Sequence, residues 1–180
     1  CNKIGDIPGG DSGIFSKVFE TSLVNAIGKV QLQSLSVDKV FVLLAKTAHY
    51  IHFNKIYPIS EQQIMKIVET YNCDYGSNVR GTDFITIVSQ AKILIPDNHT
   101  PGYKFSNKNY LAYFVAKEIN SQYNNTGNDE DIQTVLRCAC FGINSDILLF
   151  ISYITDNIKI LRLILQIAND CTNEWPEFDF

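Results

Sequence analysis

The side chains in this sequence that could hold a metal ion are three histidines and five cysteines. His49 and His52 lie three residues apart in a segment of helical periodicity, so both face one side of a helix and could share an ion. No further histidine or suitably spaced cysteine stands near them in the sequence. We interpret them as partly exposed helix histidines, and we expect His99 to lie in an exposed loop.

The cysteines show neither a metal-site pattern nor a disulfide framework. Their number is odd and they form no C-x-x-C pair. Cys138 and Cys140 are two residues apart on a predicted helix, so they point to different faces and cannot chelate one ion together. We expect reduced thiols, buried as small hydrophobic side chains. Unpaired thiols are typical of a reducing compartment, so the sequence predicts a cytoplasmic protein.

The densest run of acids is formed by Asp129, Glu130 and Asp131. Such a run could serve acid–base chemistry or cation binding. The interpretation we favour is a solvated helix start, because the helix dipole attracts negative charge to its first turn. The sequence also lacks the P-loop, the dinucleotide fingerprint, the H-E-x-x-H pair and the G-x-S-x-G elbow. It therefore predicts a chain that is not an enzyme and has neither a metal nor a cofactor of its own.

Composition restricts the class of partner. The chain has 180 residues, is 46% hydrophobic and carries a net charge of -4, which gives it no general attraction to nucleic acid. Its longest apolar runs fall far short of the roughly 20 residues that span a membrane, and no signal peptide is evident. We expect protein partners, with oligomerisation an open question. Because the chain starts at Cys1, we interpret it as a fragment of a longer protein, with a processed N-terminus as the alternative.

Periodicity predicts a mainly α fold in four segments. Residues 1–13 read as a linker and 14–34 as a connecting helix. In 35–106, helices follow Ser36 and the Ser60–Gln63 capping box, a third begins at Thr82, and a hairpin joins 93–95 to 103–105. This order is the winged-helix arrangement, in which 55–59 is expected to add a third strand. Residues 107–180 are predicted to form a helical domain of packed antiparallel hairpins, with one helix ending near Gly142.

The predicted winged helix lacks the surface of a DNA reader. Its second core helix, TDFITIVSQAK, has Lys92 as its only cation and Gln90 as its only base-reading amide. The wing offers only Lys104. We therefore do not expect nucleic-acid binding.

The stretch YKFSNKNYLAYFVAKEI, at 103–119, resembles the end of the winged-helix domain in bacterial STAND NTPases of the NACHT and related types. The segments IFSKVFETSLVNAIGKV and NSDILLFISYITDNIKILRLILQIANDC are similar to the helices before and after that domain. The resemblance implies a P-loop core, outside this chain, that binds ATP or ADP. In such proteins the winged helix folds over the nucleotide and holds the protein in a closed state. Release from the closed state leads to oligomerisation, often in anti-phage defence.

The resemblance also implies a site. Some members of the family touch the ADP phosphates with a histidine at the position of Asn107. Asn107 and Lys108 are expected in the first turn of a helix, whose free N–H groups favour an anion. The alternative, which we favour, is that Ser106 or Asn107 only caps the helix.

These observations favour a regulatory, non-catalytic fragment of a STAND-type NTPase. One rival interpretation is a winged-helix transcriptional regulator with a helical dimerisation or ligand-sensing domain. A second is an isolated scaffolding module.

Overall fold

A computed structural model describes residues 11–30, 35–139 and 141–173 of the chain. This part is mainly helical, with eight helices and one antiparallel sheet of two strands. The elements are α1 Asp11–Gly28, α2 Val37–Asn54, α3 Glu61–Tyr75, α4 Gly81–Gln90, β1 Leu94–Pro96, β2 Tyr103–Phe105, α5 Lys108–Thr126, α6 Glu130–Arg137, α7 Asn144–Ile154 and α8 Ile158–Asn173.

Helix α1 begins three residues before the connecting helix was predicted to start. Residues 11–13, assigned to the linker by their composition, belong to this helix. The rest of the linker, 1–10, and residues 31–34 of the predicted connecting helix lie outside the described part of the chain. Leu23 and Ile27 bury the inner face of α1 against the core.

The predicted caps of α2 and α3 are confirmed. Ser36 Oγ accepts the N–H of Lys39 at 3.4 Å. Ser60 and Gln63 form a reciprocal capping box, in which each side chain accepts the backbone N–H of the other, at 3.3 and 2.8 Å. These local bonds fix where both helices begin.

The hairpin follows α4 as predicted, but the expected third strand is only one residue long. Ile59 and Tyr103 exchange two backbone hydrogen bonds, of 3.0 and 2.8 Å, in an isolated antiparallel bridge. The segment cannot extend further because Pro58 has no N–H to donate and Ser60 already starts α3. The bridge nevertheless holds the start of α3 against the hairpin.

The core is centred on α5. Among the described elements, α5 makes its most extensive contacts with α7 and α2. The buried rings of Tyr113 and Phe114 lie in an aromatic cluster with Phe19 of α1, Phe41 of α2 and Phe150 of α7, at centroid distances from 5.1 to 5.6 Å. The cluster connects the central helix, α5, to α1, α2 and α7, which are distant from one another in sequence.

The C-terminal half differs from the sequence prediction at one helix end. Helix α6 stops at Arg137 instead of near Gly142, and Cys138 follows as its cap. The side chain of Asn144 donates to the carbonyl of Cys138 at 2.9 Å, which stabilises the turn. Cys138 therefore lies beyond the end of α6, and Cys140 lies outside the described part of the chain.

The prediction of buried thiols is wrong for the two cysteines whose side chains are described. Cys73 and Cys138 are both free and exposed. Each lies near the C-terminal end of its helix, where little of the chain covers it. The side chains of Cys1, Cys140 and Cys171 lie outside the described part.

No helix within the described ranges combines the length and apolar character that crossing a bilayer requires.

We expect Gly102→Ala to weaken the hairpin. Gly102 has φ of +152°, and a Cβ there meets the carbonyl oxygen of Ile59 at 2.6 Å. The substitution combines backbone strain with a clash against the Ile59–Tyr103 bridge, so it should lower the free energy of unfolding by about 2 kcal/mol or more. Urea denaturation followed by circular dichroism measures the loss.

Gly76→Ala is the matched control. Gly76 also has positive φ, +57°, but a Cβ there meets nothing within 4 Å. It should cost only about 1 kcal/mol for the left-handed conformation. If both substitutions lower the free energy of unfolding by the same amount, the close approach of Gly102 to the Ile59 carbonyl has no structural role.

Candidate functional site

The start of α5 contains the two residues predicted to contact a nucleotide. Asn107 is the N-cap, and its side-chain oxygen accepts the backbone N–H of Asn109 at 2.8 Å. Ser106 precedes it and donates from its hydroxyl to the carbonyl of Lys92 at 2.6 Å, which ties the hairpin to the same point. The capping role of Asn107 is therefore present, and its contact with phosphate stays a prediction.

Lys108 lies beside this cap and reaches across to α7. Its Nζ is 3.0 Å from Oδ2 of Asp146, and 73% of the lysine side chain is exposed. An exposed pair of this kind contributes less than about 1 kcal/mol to stability, so the ammonium can be drawn to another anion at little cost. The start of α5 thus has a cap, free solvent access and one weakly held cation.

Buried charge lies elsewhere, at the contact of α5 with α2. Glu118 is only 6% exposed. Its Oε1 accepts from Lys46 Nζ at 3.3 Å and from Gln122 Nε2 at 3.1 Å. Lys46 is more accessible, with 24% of its side chain exposed. Sequence analysis did not identify this pair, whose members are 72 positions apart.

A cleft opens beside this ion pair, between α2, α3 and α5. Its volume is about 330 Å³. We call it the α2–α3–α5 cleft, and the lining residues that matter most here are Lys46, His49, Lys66, Thr70, Glu118 and Gln122. A smaller cavity of about 200 Å³ also has Lys46 and Glu118 in its wall. The ion pair therefore borders open space as well as packed core.

His49, which lines this cleft, meets the acidic run, which is remote from it in sequence. His49 Nε2 is 2.6 Å from Asp131 Oδ2, so α2 is joined to the first turn of α6. Burial and, less strongly, the neighbouring His49 lower the pKa of His52, against opposing effects of Asp131 and Asn144. The expected partial exposure of both histidines is confirmed. Within the described ranges, no three His, Cys, Asp or Glu side chains are grouped closely enough to hold a metal.

A second polar cluster attaches α1 to α5. Lys117 Nζ lies 2.9 Å from Glu20 Oε1, 3.4 Å from the Tyr113 hydroxyl and 4.9 Å from the centre of the Phe41 ring. Burial, reinforced by Glu20, raises the pKa of Tyr113. The predicted connecting helix is thus held on the central helix by charge as well as by apolar packing.

Near the surface that would face DNA, Arg80 and Lys104 are each paired with a carboxylate, whereas Lys92 is exposed. Arg80, which precedes α4, is 3.0 Å from Asp83. In the hairpin, Lys104 is 2.9 Å from Asp97. The Lys104 ammonium and the backbone N–H groups of His99 and Thr100 lower the pKa of Asp97 to about 2, so that carboxylate stays charged at physiological pH.

Comparison with known proteins identifies no relative. No family model matches the chain, and neither the curated proteins nor the solved structures give a significant match. The roles of these residues are therefore argued from their geometry.

We expect unequal losses when either side of the buried ion pair is removed. Lys46→Met leaves the Glu118 carboxylate buried without its cation and should cost about 3 kcal/mol or more. Glu118→Gln should cost about 1 kcal/mol, because an amide still accepts a hydrogen bond and the freed Lys46 can turn to water. Urea denaturation of each variant and of the double variant gives the values. If the two single variants lose equal free energy of unfolding and the double variant loses the sum, the two side chains are not paired.

We expect His52→Gln to reduce the acid sensitivity of the fold. The folded protein holds the pKa of His52 below its ordinary value of 6.5, so the unfolded chain binds the proton more readily. The contribution of His52 to the free energy of unfolding is therefore complete above about pH 7 and falls as the pH drops below the pKa of the histidine in the unfolded chain. His52→Gln should lose less stability between about pH 7 and pH 5 than the native chain in urea titrations. A change in the exposed loop, His99→Gln, is the control, and a reduction of the same size there contradicts the assignment to His52.

Proposed function

We propose that this chain is a non-catalytic regulatory region of a bacterial STAND-type NTPase: a winged-helix domain followed by a helical domain, which biases the nucleotide-bound closed state of a P-loop core. The observation that carries the proposal is the direct passage from β2, through the Asn107 cap, into the buried helix α5. The hairpin and the helical half are therefore joined by the central element of the core.

The arrangement of α2, α3, α4 and the hairpin supports the winged-helix part of this proposal. The bridge between Ile59 and Tyr103 supplies, over one residue, the contact expected of the third strand at 55–59. The hydroxyl of Ser106 fixes the hairpin to the end of α4 by bonding the Lys92 carbonyl. These contacts hold the start of α5 in a defined position relative to the three helices.

A nucleotide phosphate fits the start of α5 by charge. The first N–H groups of a helix have no intrahelical acceptor and lie at the positive end of the dipole. Lys108 adds an ammonium that is restrained only by an exposed pair with Asp146. An ADP phosphate from the core can engage this end of the helix without breaking a buried contact.

The attachment of α1 supports a mechanical role. In the proposed full-length protein, α1 follows the nucleotide-binding core. Its Glu20 pairs with Lys117, and Phe19 packs against the Tyr113 ring of α5. Because α5 contacts both α1 and the end of the hairpin, a movement of the hairpin at the nucleotide would be transmitted to the helical half through this one rigid helix. The region would act by favouring one of two conformations.

The rival DNA-binding function is less well supported. Duplex binding depends on cations free to neutralise phosphates. Near the surface that would face DNA, Lys104 is held by Asp97, whereas Arg80 makes only an exposed pair with Asp83 and Lys92 is exposed. The exposed positions of α4 include Thr86 and Gln90, which carry no charge. These few cations, on a chain whose net charge is -4, are a small footprint for a duplex, so contact with protein is the better supported function of this surface.

We expect Asn107→Ala to reduce ADP retention in the full-length protein by about tenfold, the effect of losing one hydrogen bond to a charged group. The comparison variant is Ser60→Ala, which removes a helix cap of similar value, about 1 kcal/mol, away from the proposed contact. It should leave retention unchanged. Retention is measured by nucleotide release after rapid gel filtration.

If Asn107→Ala and Ser60→Ala retain ADP equally well, Asn107 acts only as a structural cap. A reading frame without a P-loop upstream of Cys1 would overturn the proposed function itself. Salt-dependent binding of this chain to random duplex DNA, measured by fluorescence anisotropy, would favour the transcriptional regulator.

A further inference from the structure

Helix α8 has apolar side chains on two opposite faces. At 3.6 residues per turn, Ile160, Leu163 and Ile164 lie together on one of them. Ile160 is fully buried, and Leu163 and Ile164 pack against the core while partly exposed. This inner face attaches α8 to the rest of the protein.

The opposite face is apolar as well, but it is largely uncovered. It is formed by Ile158, Leu161 and Leu165, which are three and four residues apart, together with Arg162. Ile158 is 60% exposed and Leu165 is 63% exposed. We call these four residues the outer face of α8. Since a helix that is apolar on every side is normally a buried one, this face lacks its cover among the described residues.

The charges of α8 restrict what can cover the outer face. Residues 158–166 contain Lys159 and Arg162 and no acidic residue. Both cations are exposed, and neither is joined to a carboxylate by an ion pair among the described side chains. The same stretch of a second chain would bring cations close to cations, which is unfavourable. The face therefore suits an apolar segment that carries acidic side chains.

Such a segment directly follows α8. Residues 174–180, EWPEFDF, have three aromatic and three acidic side chains and no basic one. Pro176 lacks an N–H and disfavours the helical conformation of the residue before it, so α8 is not expected to continue through this segment. Seven extended residues span about 24 Å, and the helix rises about 22 Å from Ile158 to Asn173. The segment is therefore long enough to run back along α8.

We propose that residues 174–180 fold back along α8 and cover its outer face, with their aromatic side chains against Leu165 and Leu161 and their acidic side chains within reach of Arg162 and Lys159. The burial of aromatic and aliphatic surface favours this docked arrangement, and the opposite charges add an attraction that salt weakens. Because the contact involves only α8 and the segment after it, it goes beyond the proposed function and does not depend on it. Failure of one leaves the other intact.

The test uses the fluorescence of Trp175, which is the only tryptophan of the chain and lies within the segment. Trp175 is the aromatic residue of the segment nearest to Leu165 along the chain, so docking should shield it from a quencher in solution. In the folded 180-residue chain, the constant for quenching by acrylamide should be less than half that of the free peptide of residues 174–180. Equal constants in the chain and the peptide overturn the proposal.

Leu165→Gln is the informative variant, because Leu165 is exposed and its loss should not impair folding, which circular dichroism verifies. It should raise the quenching constant at least half-way to that of the peptide. Val18→Gln, at an aliphatic residue of α1 that is 60% exposed, is the matched control and should leave the constant unchanged. The proposal is overturned if Leu165→Gln quenches like the native chain, or if Val18→Gln raises the constant as much.

Arg162→Gln tests the contribution of charge. It should raise the quenching constant by less than Leu165→Gln does, because it removes only an attraction that salt already screens. A constant equal to that of the native chain would remove the argument for an acidic segment and overturn the proposal. Shielding of Trp175 that disappears on dilution would show that a second copy of the chain covers the face, and it would overturn the proposal as well.

Discussion

The burial of α5 between α2 and α7 is the constraint on which the rest of the structure depends. The helix is almost wholly apolar from Tyr110 to Val115, and Ala112, Phe114 and Val115 have no exposed surface. A helix with so broad an apolar surface must be covered on several sides, and α2 and α7 supply the largest covers within the described chain. The hairpin, α1 and the C-terminal helices are arranged around that assembly.

The same burial explains why charged residues of α5 require distant partners. Lys117 and Glu118 follow the apolar part of the helix; Glu118 is buried, whereas 36% of the Lys117 side chain is exposed. Glu118 therefore pairs with Lys46 of α2, and Lys117 pairs with Glu20 of α1. An unpaired Glu118 would be costly in this buried position, whereas the exposed Lys117–Glu20 pair contributes little to stability. Both pairs also border cavities, which places the polar groups of the core next to accessible space.

These features fit a protein that works through conformation. The start of α5 is fixed to the hairpin, its middle to the aromatic cluster and its later turns to the cleft with buried charge. In the proposed regulatory region, a nucleotide at the start of α5 would thus act on the same helix that contributes to the aromatic cluster and the buried ion pair.

Much of the local structure follows from the sequence. Ser36, the Ser60–Gln63 box and Asn107 define three helix starts correctly, because a cap involves residues only two or three positions apart. The hairpin and the mainly helical fold follow from local periodicity in the same way. Helix ends were less predictable: α6 stops early because Asn144 bonds the Cys138 carbonyl, a contact that depends on how the next helix returns.

The candidate site was determined only by the tertiary structure. Lys46 and Glu118, or His49 and Asp131, are separated by 72 and 82 positions, and no local pattern links them. One signal was available, since a glutamate just after the apolar run YLAYFVA must find a partner when that helix is buried. The sequence thus determined that α5 would be a largely apolar helix after the hairpin, with charged residues following its apolar run. Which side chains neutralise that charge depended on the packing of α2 and α1 against it, because helix packing brings together residues that chain connectivity leaves far apart.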